Sequence, residues 1–214
     1  MNALGAVNFG MQLLSQGELH RAAQVSADLL AKAPDIAPVH ALACEVAIAQ
    51  SQIDTALNSI DRAIEIDGQE PAFQIKKAWL EVVCRQGLRA QETASAAARL
   101  APDNLVIQLE AARILSECGN HVDAESILLN ARAAEGKNPK VLSEHAVNQF
   151  FLGKTEEAES AISDYLDLQL PVNGRKLLLR AQLRKQTREN NHVEMLKNHL
   201  AQPLPEKESV GCYF

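Results

Sequence analysis

Residues 105–138 read LVIQLEAARILSECGNHVDAESILLNARAAEGKN, with one glycine near the middle of the apolar pattern. Apolar residues recur at a spacing of three to four on both sides of Gly119, which predicts two helices that each bury one face. Glycine adopts the positive φ that closes a helix without a clash of its Cβ, so Gly119 marks the turn between them. The stretch therefore predicts a helix, a tight turn and a second helix.

The same arrangement recurs along the chain with a period of 34 residues. One series at this period contains only alanine: Ala22, Ala56, Ala90, Ala124 and Ala158. A second series contains only small residues: Gly10, Cys44, Ala78, Ala112 and Ala146. Because only small side chains let two antiparallel helices cross closely, we predict that the two series meet where the helices of each unit cross. A fixed period of this length indicates an array of helical hairpins.

This pattern resembles the tetratricopeptide repeat (TPR) family, whose 34-residue unit is a helix, a turn and a helix with small residues at set positions. The residues that carry the resemblance are Ala112, Gly119, Ala124, Leu128 and Ala131 in the fourth unit and Ala146, Gly153, Ala158 and Ile162 in the fifth. The sequence departs from the family pattern in two ways. The usual Trp and Tyr of the first helix are absent, and Arg85 takes the place of the turn glycine in the third unit.

The resemblance implies an all-α fold, a right-handed superhelical α-solenoid of antiparallel helical hairpins with about five and a half to six repeats. Five repeats are expected over residues 3–172, with boundaries at 3–36, 37–70, 71–104, 105–138 and 139–172. Residues 173–202 are expected to form a divergent sixth hairpin, with a long helix over Asn173–Glu189 and its partner over His192–Ala201. Residues 203–214 are interpreted as a linker and the start of a further repeat, so that the natural chain continues past Phe214.

Composition and charge exclude several classes of partner. The formal net charge is −6, which disfavours nucleic acid, since a duplex-binding protein neutralises many phosphates with basic side chains. No run of five basic residues occurs, and no stretch of 18 uninterrupted apolar residues occurs. The first 14 residues contain no Lys or Arg, so they are a poor signal peptide. We therefore expect a cytoplasmic protein without a nucleic-acid or membrane partner.

No pattern of residues predicts catalysis, a cofactor or a metal. The cysteines contain no CxxC spacing and are interpreted as buried small hydrophobic residues in a reducing compartment: Cys44, Cys84, Cys118 and Cys212. The histidines include no pair spaced by four residues and no HExxH motif. Gly153-Lys154-Thr155 resembles the end of a phosphate-binding loop, but Asn148 stands where that loop needs its first glycine. The chain is therefore predicted not to be an enzyme.

In TPR proteins the first helices line a concave groove, and the resemblance implies a partner-binding site there. The residues carried onto that groove are Met11, Glu45, Ile75, Trp79, Val82, Leu109, Arg113, Val147 and Phe150. Trp79 is the single tryptophan, and Trp and Arg are frequent hot spots of interfaces. In the alternative interpretation, Trp79 and Phe150 simply pack between adjacent hairpins. A carboxylate clamp of the chaperone-adaptor type is disfavoured, because only Lys76 matches its basic positions.

Three functional hypotheses follow from these observations. The leading one is a non-catalytic protein–protein interaction scaffold that binds a peptide or protein segment in the groove. The alternative is an N-terminal accessory module of a larger enzyme, which positions substrate or oligomerises. It depends on a short resemblance to the repeat region of bacterial TPR-sulfotransferase proteins, including Tyr213 and Phe214. The third hypothesis is self-association through the solenoid ends, because Met1–Met11 is uncharged apart from the terminal amine.

Overall fold

The computed structural model of the chain describes residues 2–168, 174–183, 187–189, 191 and 193–201. Throughout these ranges the regular secondary structure is α-helical, and the chain divides into two compact units. Unit 1 comprises Met1–Cys118 and unit 2 comprises Gly119–Phe214. The predicted all-α fold is therefore confirmed, and each unit is described by itself below.

Unit 1 is a succession of helical hairpins. Its helices are α1 (Ala3–Ser15), α2 (Leu19–Lys32), α3 (Ala37–Ala49), α4 (Ile53–Ile66), α5 (Pro71–Val83), α6 (Gly87–Leu100) and α7 (Leu105–Glu117). The helices pair as α1 with α2, α3 with α4 and α5 with α6, and each second helix also packs on the next first helix. First helices contact each other directly, α1 with α3 and α5 with α7. An ion pair between Glu45 and Lys76 joins α3 to α5, so the first helices form one row along a side of unit 1.

Unit 2 has helices α8 (His121–Ala134), α9 (Pro139–Phe151), α10 (Thr155–Asp167), α11 (Gly174–Gln182) and α12 (Val193–Leu200). Helix α9 packs on α8 and on α10, and α10 contacts α11. The predicted helix over Asn173–Glu189 is wrong in length, because α11 ends at Gln182 and residues 187–189 are not helical. After Leu183 the sequence RKQTREN offers no apolar side chain to pack, and an unpacked extension gains little stability. Residues 169–173 and 202–214, with Pro171 and Cys212, lie outside the described residues.

The two series of small residues are buried throughout. Every member of the alanine series has a relative exposure of 0%, from Ala22 to Ala158. In the second series, Gly10 shows why size matters: a Cβ added there would lie 2.6 Å from Leu42 Cδ2. Leu42 is itself fully buried on α3, so it has little room to move away. Small residues thus set how closely α1 approaches α3.

The turn between the helices of a hairpin has one backbone conformation in all five positions where the period places it. Positive φ values occur at Gly17, Ser51, Arg85, Gly119 and Gly153, between 59° and 78°. These residues are 34 apart, so Ser51 and Arg85 adopt the left-handed conformation that glycine adopts elsewhere. The departure at Arg85 therefore changes the residue and leaves the turn geometry in place. A residue with a Cβ is strained in this region by roughly 1–2 kcal/mol.

Arg85→Gly is therefore expected to stabilise the protein by about 0.5–1 kcal/mol, since relief of the strain exceeds the entropy that glycine adds to the unfolded chain. The matched control is Gly153→Ala, where an added Cβ meets nothing within 4 Å and only backbone strain remains. That variant is expected to lose about 1 kcal/mol. Urea denaturation followed by circular dichroism measures both. A neutral or destabilising Arg85→Gly would contradict the strain argument.

The cysteines follow the prediction only in part. Cys44 is buried in the cluster that contains Ala47, Ile60 and Leu80, and burial raises the pKa of its thiol to about 12. The half-buried Cys84 and Cys118 correct the expectation of full burial, and all three thiols are free. Both half-buried residues stand at the carboxyl ends of first helices, where the chain leaves the core for the turn.

Candidate functional site

The row of first helices in unit 1 carries a cluster centred on Trp79. The indole Nε1 of Trp79 donates a hydrogen bond to Glu110 Oε2 at 2.9 Å. The guanidinium carbon of Arg113 lies 5.2 Å from the centroid of the Trp79 ring, within the range of a cation–π contact. We call Trp79, Glu110 and Arg113 the Trp79 cluster. It joins α5 to α7 through one polar and one ring contact.

A second contact of the same kind joins α3 to α5. Lys76 Nζ lies 2.6 Å from Glu45 Oε1. Glu45 and Lys76 are 31 residues apart, as are Trp79 and Glu110. Equivalent positions on successive first helices are 34 residues apart. In each pair the second side chain therefore lies three residues, or almost one helical turn, before the position equivalent to the first side chain. The two contacts therefore repeat one geometry along the row.

The surface beside the Trp79 cluster is apolar and exposed. Val83, one turn after Trp79 on α5, has a relative exposure of 62%. Val106, two turns before Arg113 on α7, has a relative exposure of 66%. Arg113 is itself exposed, and within unit 1 it forms no salt bridge. This surface thus presents the two exposed valines, the half-buried indole of Trp79 and the guanidinium of Arg113.

The structure divides the predicted groove residues into three groups. Trp79, Arg113 and Glu45 lie on the contacts just described. Ile75 and Leu109 each have a relative exposure of 8%, so they support the row from below and offer a partner little surface. The remaining residues are half-buried: Met11 and Val82 in unit 1 and Val147 and Phe150 in unit 2. Phe150 packs against a buried cluster of its own hairpin that includes Ala146, Ala158 and Ile162.

Sequence reasoning missed Glu110, which fixes the indole of Trp79. The signal was present in the register, since Glu110 occupies the unit position that Lys76 occupies one repeat earlier. A first-helix contact at that offset pairs Glu45 with Lys76 and Trp79 with Glu110. The separation of 31 residues in both pairs depends on how far one first helix is shifted along its axis relative to the next. This shift cannot be read from the sequence.

Unit 2 contains a buried polar cluster that the sequence did not reveal. Glu125 Oε2 accepts a hydrogen bond from Asn148 Nδ2 at 3.0 Å, and Glu125 Oε1 accepts one from Gln149 Nε2 at 2.6 Å. His145 Nε2 lies 3.4 Å from Glu125 Oε1. All four residues have relative exposures of 8% or less. A carboxylate is thus held inside unit 2 by two amide donors, with the His145 imidazole and the Lys154 ammonium close to it.

The two ring nitrogens of His145 have different polar neighbours. Arg132 Nη1 lies 2.9 Å from His145 Nδ1, and a guanidinium can only donate, so Nδ1 accepts. Gln149 Nε2 lies 2.9 Å from His145 Nε2. Burial lowers the pKa of His145, the carboxylate of Glu125 opposes this shift, and the positive charge of Arg132 adds to it. His145 is held as a neutral imidazole, which suits a structural role.

Acidification is expected to destabilise the protein through His145. Below the unfolded pKa of 6.5 the unfolded imidazole gains a proton while the folded one resists it, so stability present above pH 6.5 is lost as pH falls toward the folded pKa. Where the unfolded state binds one proton more than the folded state, the free energy of unfolding falls by about 1.4 kcal/mol for each pH unit of acidification. His145→Gln should reduce the slope of unfolding free energy between pH 7 and pH 5 relative to the wild type. A slope equal to that of the wild type would refute this account.

Among the described residues, no group of three His, Cys, Asp or Glu side chains could hold a metal ion. No helix in the same part is long and apolar enough to cross a membrane.

Comparison with known proteins identifies the fold. No protein-family model and no curated protein matches the chain by sequence. Among solved structures, the chain is similar to PilF of Pseudomonas aeruginosa, with 16% identity, a TM-score of 0.71 and coverage of 85% of this chain and 82% of that one. It is also similar to PilW, described as a type IV pilus biogenesis factor, with 17% identity, a TM-score of 0.76 and coverage of 97% of both chains.

A third similar structure is YrrB, described as a TPR protein with an unusual peptide-binding site. It has 17% identity, a TM-score of 0.61 and coverage of 78% of this chain and 87% of that one. At these identities the likeness concerns the fold, which is that of TPR proteins and confirms the resemblance inferred from the 34-residue period.

Proposed function

We propose that the chain is a protein-interaction scaffold that holds a segment of a partner protein against the first helices of unit 1, at the Trp79 cluster. The observation that carries the proposal is the stacking of an exposed Arg113 on Trp79 beside two exposed valines. Trp and Arg are enriched among interface hot spots, and exposed apolar patches mark interaction sites. The TPR fold of the structural neighbours supports the general role.

The charges around the cluster suggest what the partner segment contains. Glu45 is paired with Lys76, and Glu110 accepts a hydrogen bond from the indole N–H of Trp79, so both carboxylates are already engaged within unit 1. Arg113 keeps a guanidinium that can bind a carboxylate through two parallel hydrogen bonds. Val83 and Val106 offer apolar surface on either side along the helices. The segment we propose therefore combines apolar side chains with an acidic group.

Site-specific photocrosslinking in cells of the source organism tests the proposal. A benzophenone amino acid is introduced at Val106 and, separately, at Leu88, which is exposed on the second helix α6. We expect a discrete protein adduct from position 106 and none from position 88, with the crosslinked peptide identified by mass spectrometry. Adducts from position 88 alone, or none at all, would reject the first-helix surface as the binding site.

The accessory-module hypothesis uses the same surface but places it in a larger enzyme. The structural neighbours are TPR proteins, and the sulfotransferase resemblance is not shown by them. Tyr213 and Phe214, which suggested that resemblance, lie outside the described residues. Sequencing the gene past the codon for Phe214 decides between the two hypotheses. A stop codon there favours a free-standing scaffold, and an open frame that enters a catalytic domain favours the module.

A further inference from the structure

The first hairpin carries an open apolar pocket on a surface that the Trp79 cluster does not use. The pocket has a volume of about 440 Å³ and lies between α1 and α2. Its lining includes Ala3, Ala6 and Phe9 from α1 and Val25, Asp28 and Lys32 from α2. Phe9 keeps a relative exposure of 37%, although it is a large aromatic side chain. We call this surface the hairpin-1 face.

The 34-residue register shows what this face is shaped to receive. On α3 the positions equivalent to Ala3 and Phe9 are covered, with Ala37 3% exposed and Ala43 9% exposed, and on α7 the position equivalent to Phe9 is covered, with Ala111 0% exposed. The cover is the preceding second helix, as α3 packs on α2 and α7 packs on α6. On α7, Gln108 donates from Nε2 to the carbonyl oxygens of Ala98 on α6 and of Ala101, which directly follows α6. The hairpin-1 face therefore has the form of a helix-docking surface.

The hairpin-1 face carries one acidic and one basic side chain. Helix α1 has the sequence ALGAVNFGMQLLS, which contains no charged residue. The pocket has one acid and one base, Asp28 and Lys32, one turn apart on α2. Neither forms a salt bridge within the described part of the chain. When two copies of α2 meet antiparallel, each Asp28 lies opposite the other copy's Lys32.

We propose that a second copy of this chain covers the hairpin-1 face in a two-fold symmetric dimer. Helix α2 lies antiparallel to its counterpart, and Asp28 and Lys32 form two equivalent ion pairs between the copies. Phe9 of each copy is buried at the contact, since a two-fold interface uses the same patch twice. A self-complementary pair of charges at the edge of an apolar patch favours this occupant over an unrelated helix, which would have to supply both charges in the right order. This inference is independent of the proposed binding at Trp79.

Sedimentation equilibrium of the full 214-residue chain tests the dimer. The wild type is expected to be a dimer, and Phe9→Ser is expected to raise the dimer Kd by at least about 30-fold, as removal of a central aromatic anchor does. Leu88→Ser, at an exposed position on α6, is the control and should leave the Kd unchanged. Circular dichroism melts establish that each variant is folded.

Charge reversal tests the pairing even if Phe9→Ser fails to fold. Asp28→Lys alone and Lys32→Asp alone are each expected to raise the Kd about tenfold, because like charges then face each other twice. The double variant, or an equimolar mixture of the two single variants, should return the Kd to within about threefold of the wild type. A monomer at all concentrations, open-ended polymers, or a dimer insensitive to both sets of variants would each overturn the proposal.

Discussion

Glu125→Ala is expected to lower the free energy of unfolding by about 3 kcal/mol. Glu125 is the shared acceptor of Asn148 Nδ2 and Gln149 Nε2, and His145 Nε2 also faces it. Alanine removes the carboxylate and leaves these donors in a space that water does not reach. A buried donor without an acceptor loses its full desolvation energy, so the cost exceeds that of one ordinary hydrogen bond.

Urea denaturation followed by far-UV circular dichroism measures this loss. Glu125→Gln is the informative intermediate, because it keeps one oxygen acceptor and replaces the other with a donor that faces the donors of its neighbours. The exposed Glu92→Ala on α6 is the matched control and should change stability by less than about 0.5 kcal/mol. If Glu125→Ala costs no more than Glu92→Ala, the buried cluster does not stabilise the fold.

Trp79→Ala is expected to weaken binding of the partner segment by at least about 2 kcal/mol, or roughly 30-fold in Kd. The indole provides the central apolar surface of the row, and its ring face holds the Arg113 guanidinium. Removal of the indole also removes the hydrogen bond that Glu110 accepts from it. The Glu110 carboxylate then lacks this donor and competes for Arg113 with the acidic group of the segment. Both changes reduce the affinity for a segment that carries an acidic group.

Isothermal titration with the crosslinked segment, made as a peptide, measures this effect. Trp79→Phe separates the two contributions, since it keeps a ring for the cation–π contact and lacks the indole N–H. Leu88→Ala, on α6, controls for general effects of truncating an exposed apolar side chain. A folded Trp79→Ala protein that binds with wild-type affinity would move the binding site away from this cluster.

The 34-residue period was enough to predict the architecture. It depends on positions where size or backbone conformation leaves few choices, such as the buried alanines and the turn glycines. Even Arg85, which the family pattern would not place in the turn, adopts the expected left-handed conformation, because the flanking helices determine the path of the chain there. The prediction of a helix over Asn173–Glu189 failed after Gln182, where α11 ends. Between Leu183 and Glu189 the sequence contains no apolar residue that would anchor a longer helix.

For the candidate site, the sequence predicted individual residues but not their exposure or their contacts. Trp79 and Arg113 were named from their type and their place in the unit, yet Ile75 and Leu109 from the same helices are nearly buried. Periodicity assigns a residue to a helix face, and two neighbouring helices decide whether that face reaches solvent. The partner of Trp79 was missed for the same reason, since the shift between α5 and α7 brings Glu110 into reach.

The helical hairpins of this protein and their period follow from its sequence, as do the small residues and turns that join them. These properties are local, because they depend on the spacing of apolar residues and on backbone conformations that few residues adopt. The meeting of polar groups depends instead on how the helices pack: Glu45 with Lys76, Glu110 with Trp79, and the donors around Glu125. A hydrogen bond requires two atoms within about 3 Å, and that distance depends on how helices separated by 20 to 35 residues are packed.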